Sequence, residues 1–235
     1  TSEGMHRVAW ELRYAPFVVR TDSEGTSSRR RRRGGGPLVA PGKYTVQAFA
    51  RSGEATKNLG EAQTFEVKLI SSPTLKPQDR AKVLDFQMQL GKLQQGVTAA
   101  QRLIGDAVTQ LGQVRTVVVG GRNSDLELLD ELRQLETKLL DARESLTGDA
   151  TRTSRFDVGA PSVASRLQTT LYGTMTNLYG VTKTQRQQFQ IAKEEYDAAI
   201  ENIQKLLDVE VPAFNKKLDE AGVPWTPSRG IPHAD

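Results

Sequence analysis

Between residues 83 and 118 the apolar side chains fall in a near-unbroken 3-4 alternation: Val83, Phe86, Leu90, Leu93, Val97, Ala100, Ile104, Ala107, Leu111, Val114 and Val118. Five successive heptads with every a and d position apolar specify a helix that packs along its whole length against other helices. At 1.5 Å per residue the stretch makes a rod of roughly 55 Å, longer than a small domain is wide. The rest of the chain must therefore supply cover for it. Asp79 stands where an N-cap is expected, and Gly120-Gly121 where such a helix stops.

Three more amphipathic segments follow. Ser124 or Asp125 caps a second helix with Leu128, Leu132, Leu135, Leu139, Ala142 and Leu146 on one face. Residues 148–159 read as a polar connection. A third helix starts at Ser162 with Val163, Leu167, Leu171, Thr174, Leu178 and Val181 inward, weakened by Gly173 and Gly180. After a break at 182–184, a fourth carries Phe189, Ala192, Tyr196, Ile203 and Leu207. Pro212 kinks or restarts it, and Val211, Phe214, Leu218 and Ala221 extend the stripe to a stop at Gly222. Residues 79–222 are thus expected to form an antiparallel four-helix bundle with long first and last helices. The tail, 223–235, is extended and holds three prolines and Trp225.

Ahead of residue 79 the period is 2. Residues 5–14 alternate with Val8, Trp10 and Leu12 on one face, residues 17–19 read as a weaker continuation of the sheet after Pro16, and residues 44–50 and 64–70 make further strands, with 51–60 as the connection. Residues 1–72 are read as a small antiparallel β-sandwich of the immunoglobulin or fibronectin type III kind. A full sandwich of this kind needs about seven strands, so the expectation is either a reduced sandwich or one whose first strands lie upstream of Thr1. A polar, arginine-rich loop at 21–36 interrupts it, and residues 73–78 form the linker. The fold class is therefore α+β, in two modules.

Charge follows the same division. Residues 1–76 hold 13 Lys+Arg against 7 Asp+Glu, and residues 77–235 hold 19 against 21. The basic surplus is largely one run, so the overall balance makes no case for a nucleic-acid protein. With no cysteine, disulfides, thiolate zinc sites and cysteine nucleophiles are excluded. No apolar run reaches the ~18–20 residues that cross a bilayer. The start at Thr1, without an initiator Met or an apolar leader segment, reads as a mature or trimmed product.

Several pieces occur in a telling order. Val8-Ala9-Trp10-Glu11-Leu12-Arg13-Tyr14 comes first, then Gly36-Pro37 and Val39-Ala40-Pro41-Gly42-Lys43-Tyr44-Thr45-Val46. A Phe65-x-Val67 strand and a Gln- and Leu-rich helix follow. Last is Val211-Pro212-Ala213-Phe214-Asn215-x-x-Leu218-x-x-Ala221-Gly222-Val223-Pro224. Over nearly the whole chain this resembles the C-terminal region of bacterial secreted BNR-repeat or sortilin-like "glycosyl hydrolase" proteins, in which a large β-propeller precedes a small sandwich and a helical tail. The resemblance implies the fold and an exported, periplasmic or extracellular setting. It carries over no catalytic residue, because the propeller is absent, and the arginine run is not part of the family pattern.

Candidate sites are few. His6 and His233 lie at opposite ends of the chain, whereas a metal site or a Ser-His-acid triad needs convergence. The carboxylate pairs Glu194-Glu195, Asp130-Glu131 and Asp219-Glu220 fall on outward helix positions rather than across a cleft. No catalytic, metal or cofactor-binding residue is assigned. Arg29, Arg30, Arg31, Arg32 and Arg33 form the sharpest local feature. They suit a solvated loop, or an acidic protein or anionic lipid surface. Nucleic acid is disfavoured, because no aromatic stackers accompany them. Trp10 reads as sandwich core, with a carbohydrate-stacking platform as the alternative. Trp225 either staples the tail to the body or docks into a partner. Tyr172 and Tyr179 read as bundle filling. The middle helices are too short to cover five heptads, so the far end of the rod, Leu111 to Val118, is expected to pack on the end of the fourth helix or on a partner, which makes it a candidate interface. The functional expectation is a non-catalytic scaffolding module, an accessory subunit of an exported assembly. The alternatives are an accessory region of a sialidase-like glycoside hydrolase and a carbohydrate-binding module.

Overall fold

The computed structural model describes residues 5, 7–18, 35–70, 78–121, 126–155, 157, 159–177, 179–227 and 229. It is an α+β structure in which small antiparallel two-stranded sheets precede a mostly helical region. The strands are β1 (Gly42–Val46), β2 (Phe49–Ser52), β3 (Ala55–Asn58) and β4 (Gln63–Val67). The helices are α1 (Arg80–Gly120), α2 (Leu126–Thr147), the short α3 (Ala150–Ser154), α4 (Val163–Thr176), α5 (Lys183–Lys205) and α6 (Val211–Glu220). A π-helical stretch, Leu206–Glu210, joins α5 to α6. Two compact units result: Thr1–Gln89 with Tyr172–Thr182, and Leu90–Leu171 with Lys183–Asp235. The expected 73–78 linker lies outside the described residues except for Gln78.

In the first unit β1 pairs with β4 and β2 with β3, both antiparallel. Gly53 at φ 60° and Glu54 close a two-residue turn between Ser52 and Ala55, with glycine at the first central position as a type II′ hairpin requires. A bond from the Leu59 amide to the Ala48 carbonyl (3.0 Å) links the two pairs, so residues 42–67 make one interrupted ribbon. The segment read from sequence as a connection, 51–60, is the tip of that ribbon. β2 and β3 are exposed at every position. Residues 5–14 differ from expectation too. Leu12 sits at φ 55°, which breaks an extended run. Among the described residues its pairing is an Arg13–Leu38 bridge with bonds joining Tyr14 to Gly36 and Pro37, and Leu12 to Val39. Gly36 allows this approach, since a Cβ there would run into the Ala15 carbonyl oxygen.

Trp10 is half-exposed rather than sandwich core. Its ring meets Tyr44 and Phe65 edge-on, with centroids 5.7 and 6.0 Å apart, and Tyr44 faces Phe65 across the β1–β4 ladder. The same unit holds the first turns of α1. The Asp79 carboxylate caps them by accepting from the Ala81 amide at 2.9 Å. Gln78 bonds to the Val181 amide and carbonyl (3.0 Å each), and the buried Gln87 amide donates to the Thr174 carbonyl at 3.0 Å. Tyr172 and Tyr179 are exposed here, contrary to their expected role as filling. Leu178 lies outside the described residues.

The second unit is built on the a/d seam. Val97, Ala100, Ile104, Ala107, Leu111, Val114 and Val118 are all buried, and only Leu93 is half-buried. Opposite them α2 buries Leu128, Leu132, Leu135, Leu139, Ala142 and Leu146. The directions follow from named contacts. A Cβ on Gly96 of α1 would meet the Tyr196 hydroxyl of α5 at 2.6 Å, and Gln110 donates to Asn215 of α6 at 2.9 Å. Numbers rise together, so α1 and the α5–α6 rod run parallel. Against that rod α2 descends: Glu131 pairs with Lys217 and Lys138 with Glu210, each at 2.7 Å. Where α2 ends, α4 continues the descent, with Arg166 bonding to Gln188 at 2.6 Å. Two rods therefore rise in this unit and one broken helix returns between them, where the sequence suggested four helices side by side. The physical reason is length, since α2 spans only 22 residues and α4 takes up the height α2 cannot reach.

Pro212 has no amide hydrogen to continue the α5 ladder. The chain widens instead, and the Val211 amide bonds back to the Leu206 carbonyl. Glu210, at the end of this stretch, takes the Lys138 ammonium at 2.7 Å. That hydrogen bond holds its carboxyl below the ordinary value of 4.5, with Lys205 adding to the effect and partial burial opposing it.

Two outcomes are expected. Gly96→Ala gains helix propensity of about 1 kcal/mol but forces a methyl against the Tyr196 ring, so chemical denaturation should show a net loss of about 1–2 kcal/mol. Adding Tyr196→Phe should recover part of that loss. Since the folded pKa of Glu210 is depressed, its contribution is present at neutral pH and disappears as pH falls through the acid range below 4.5. Glu210→Gln should therefore lower Tm slightly at pH 7, by less than about 1 kcal/mol in stability. The gap to the wild type should close as melts are taken toward pH 3.

Candidate interaction site

The end of the second unit where α1 stops and α2 starts is also where α6 stops, as the Gln110–Asn215 and Glu131–Lys217 contacts require. Leu111 and Val118, expected to pack on the end of the fourth helix or on a partner, are 0% and 6% exposed. The cover comes from within the chain: α2 and α6, the latter continuing the fourth helix, both reach this height and close over the seam. Arg115 of α1 and Glu136 of α2 add an ion pair at its edge. The exposed apolar residues of this end are neighbours the seam did not single out, Val119 and Leu126. Each stands beside a helix terminus, where heptad counting loses its meaning.

Trp225 belongs to the same end. α6 terminates at Gly222, φ 67°. The Val223 amide bonds to the Leu218 carbonyl at 3.0 Å and the Gly222 amide to Asp219 at 3.0 Å, which turns the chain back over the helix. The returning segment is clamped by Arg229. Its side chain is 1% exposed and ion-pairs with Asp219, while Nη1 donates to the carbonyls of Pro224 (3.1 Å) and Val223 (3.3 Å). Thr226 is buried. Trp225 itself remains 52% exposed. The tail is thus stapled, but by an arginine that sequence reading had not noticed, and the tryptophan is left facing outward. The signal that was available is the spacing Asp219 to Arg229 across a Gly-Val-Pro turn, which is too common to be diagnostic.

The other sequence candidates are dispersed. Arg29 to Arg33, His6 and His233 lie outside the described residues. The carboxylate pairs are engaged: Glu195 with Arg166, Glu131 with Lys217, Asp219 with Arg229, Glu194 with Gln190. An open groove of about 1490 Å³ lies where α2 gives way to α4, lined by Asp141, Glu144, Asp149, Asp157 and Glu195 among others. Within it Arg152 is tied to Asp157 at 2.7 Å. Among the described residues no group of three or more His, Cys, Asp or Glu is placed to hold a metal ion, and no helix is long and apolar enough to cross a membrane.

Removing the clamp should free the tail without unfolding the helices. Arg229→Ala is expected to leave far-UV circular dichroism unchanged, lower the fluorescence anisotropy of Trp225 (read in a Trp10→Phe background) and speed proteolysis after residue 222. Unchanged anisotropy would show that Arg229 does not hold the segment. No protein-family model, curated protein or solved structure matches this chain.

Proposed function

We propose that this chain is a non-catalytic interaction module, an accessory structural subunit of a larger exported, periplasm-facing assembly such as a membrane complex of the photosynthetic or respiratory kind. The observation that carries the reading is Trp225, half-exposed on a segment that buried Arg229 holds in place. An aromatic presented on a fixed support loses little entropy on docking and is the residue type that dominates interface energetics. Val119 and Leu126 extend the apolar character of that end. Arg29 to Arg33 add attraction for an acidic or anionic partner surface. The exported setting rests on the resemblance to the tail of BNR-repeat proteins. An immunoglobulin- or fibronectin-like layering of the strands belongs to the same proposal.

A second reading has one observation in its favour. Trp10, Tyr44 and Phe65 form a solvent-facing aromatic cluster, and sugar rings stack on such platforms, which suits a carbohydrate-binding module or the accessory region of a sialidase-like hydrolase. The two separate cleanly. Under the first, the full chain isolates one stoichiometric complex from a periplasmic or membrane fraction, and Trp225→Ala weakens that complex at least tenfold while Trp10→Ala does not. Under the second, glycan-array binding is seen and vanishes with Trp10→Ala. Hydrolysis of any glycoside by the chain would overturn the non-catalytic reading.

A further inference from the structure

Arg80 opens α1 and is only partly exposed. Its Nε is buried and has no hydrogen-bond partner among the described residues. Leaving a charged donor unsatisfied is costly, and the neighbouring carboxylate of Asp79 is already accepting from the Ala81 amide. Arg80 lines a cavity of about 110 Å³ inside the first unit, between residues 38–41, the end of β4 and the first turns of α1. The other cations of its lining are Arg13 and Lys68, and no Asp or Glu is among them. Arg13 donates one nitrogen to the Gly36 carbonyl at 3.1 Å, and Lys68 reaches outward to Glu66 at 2.9 Å. Among the described residues the buried Nε of Arg80 has no partner and the lining offers no carboxylate, and the amino end of α1 adds positive potential. The remaining wall is largely apolar, including Val67, Val83, Leu84 and Met175.

We propose that this cavity binds a small organic carboxylate, its anionic head on Arg80 and a short hydrocarbon body against the apolar wall. Size limits the body to a few carbons, since the space is somewhat smaller than the ~150 Å³ that holds a benzene ring. The apolar wall sets a monocarboxylate apart from inorganic phosphate, which would leave that wall facing a fully hydrated ion.

Titration of the isotope-labelled full chain with butyrate, and separately with inorganic phosphate, tests this by amide chemical shifts. Saturable butyrate shifts are expected around residues 80–87 and 174–177. Affinity should fall about tenfold or more in Arg80→Gln, the value of a charged hydrogen bond, and be largely kept in Arg80→Lys. Both variants should retain the wild-type circular dichroism spectrum; if Arg80→Gln does not, Leu84→Phe, which fills the cavity from the apolar side, must abolish the shifts. Phosphate binding as tight as butyrate would overturn the proposed class. Absence of saturable shifts, or butyrate affinity that survives Arg80→Gln in a folded chain, would overturn the site.

Discussion

The seam of α1 is the constraint on which the helical part depends. A helix of 41 residues with an apolar a/d stripe cannot remain in water. Each fully buried leucine or valine is worth about 1.5–3 kcal/mol only if something covers it. In the second unit the cover comes from one broken descending helix and one ascending rod. Two buried side-chain amides along α1 find partners. Gln110 finds Asn215, and in the first unit Gln87 finds a backbone carbonyl. These bonds add little net energy, but a buried amide tolerates few alternative registers. The two glutamines fix alignments that an all-leucine seam would leave free to slide.

The strands obey a different economy of contacts. Two two-stranded pairs are too thin to stand alone in water. What anchors them is the cluster of Trp10, Tyr44 and Phe65 together with the wall that residues near β4 share with the first turns of α1. Phe49 and Leu59 nevertheless remain exposed. The positive φ of Leu12 interrupts the extended run of residues 5–14, so that segment does not add a full strand to the sheet.

At the opposite end of the chain, order arises from single interactions rather than from a core. Pro212 removes one amide, and a π-helical stretch absorbs the gap while delivering Glu210 to Lys138. Arg229 turns a proline-containing tail into a fixed surface. The price of burying that cation is offset by Asp219 and two carbonyls.

Helix positions were legible in the residues because hydrophobic period and caps are local. Asp79, Gly120, Ser162 and Gly222 mark boundaries that the structure keeps to within a residue or two, and the α+β division at residue 79 follows from the change of period. The strands were less legible, since 51–60 carries turn residues and hairpin tips are not told from loops by composition. The candidate site was half legible. Trp225 stood out by its type, while Arg229, Val119 and Leu126 have no pattern of their own. By itself, then, the sequence determined where the helices lie, which faces are apolar, and that no cysteine chemistry is possible. Only the tertiary structure decided that α2 and α4 descend in tandem, that Leu111 and Val118 are covered, and that Trp225 is held outward. Those outcomes depend on which helix reaches which height and on contacts between residues some 10 to 105 positions apart, distances at which local periodicity carries no information.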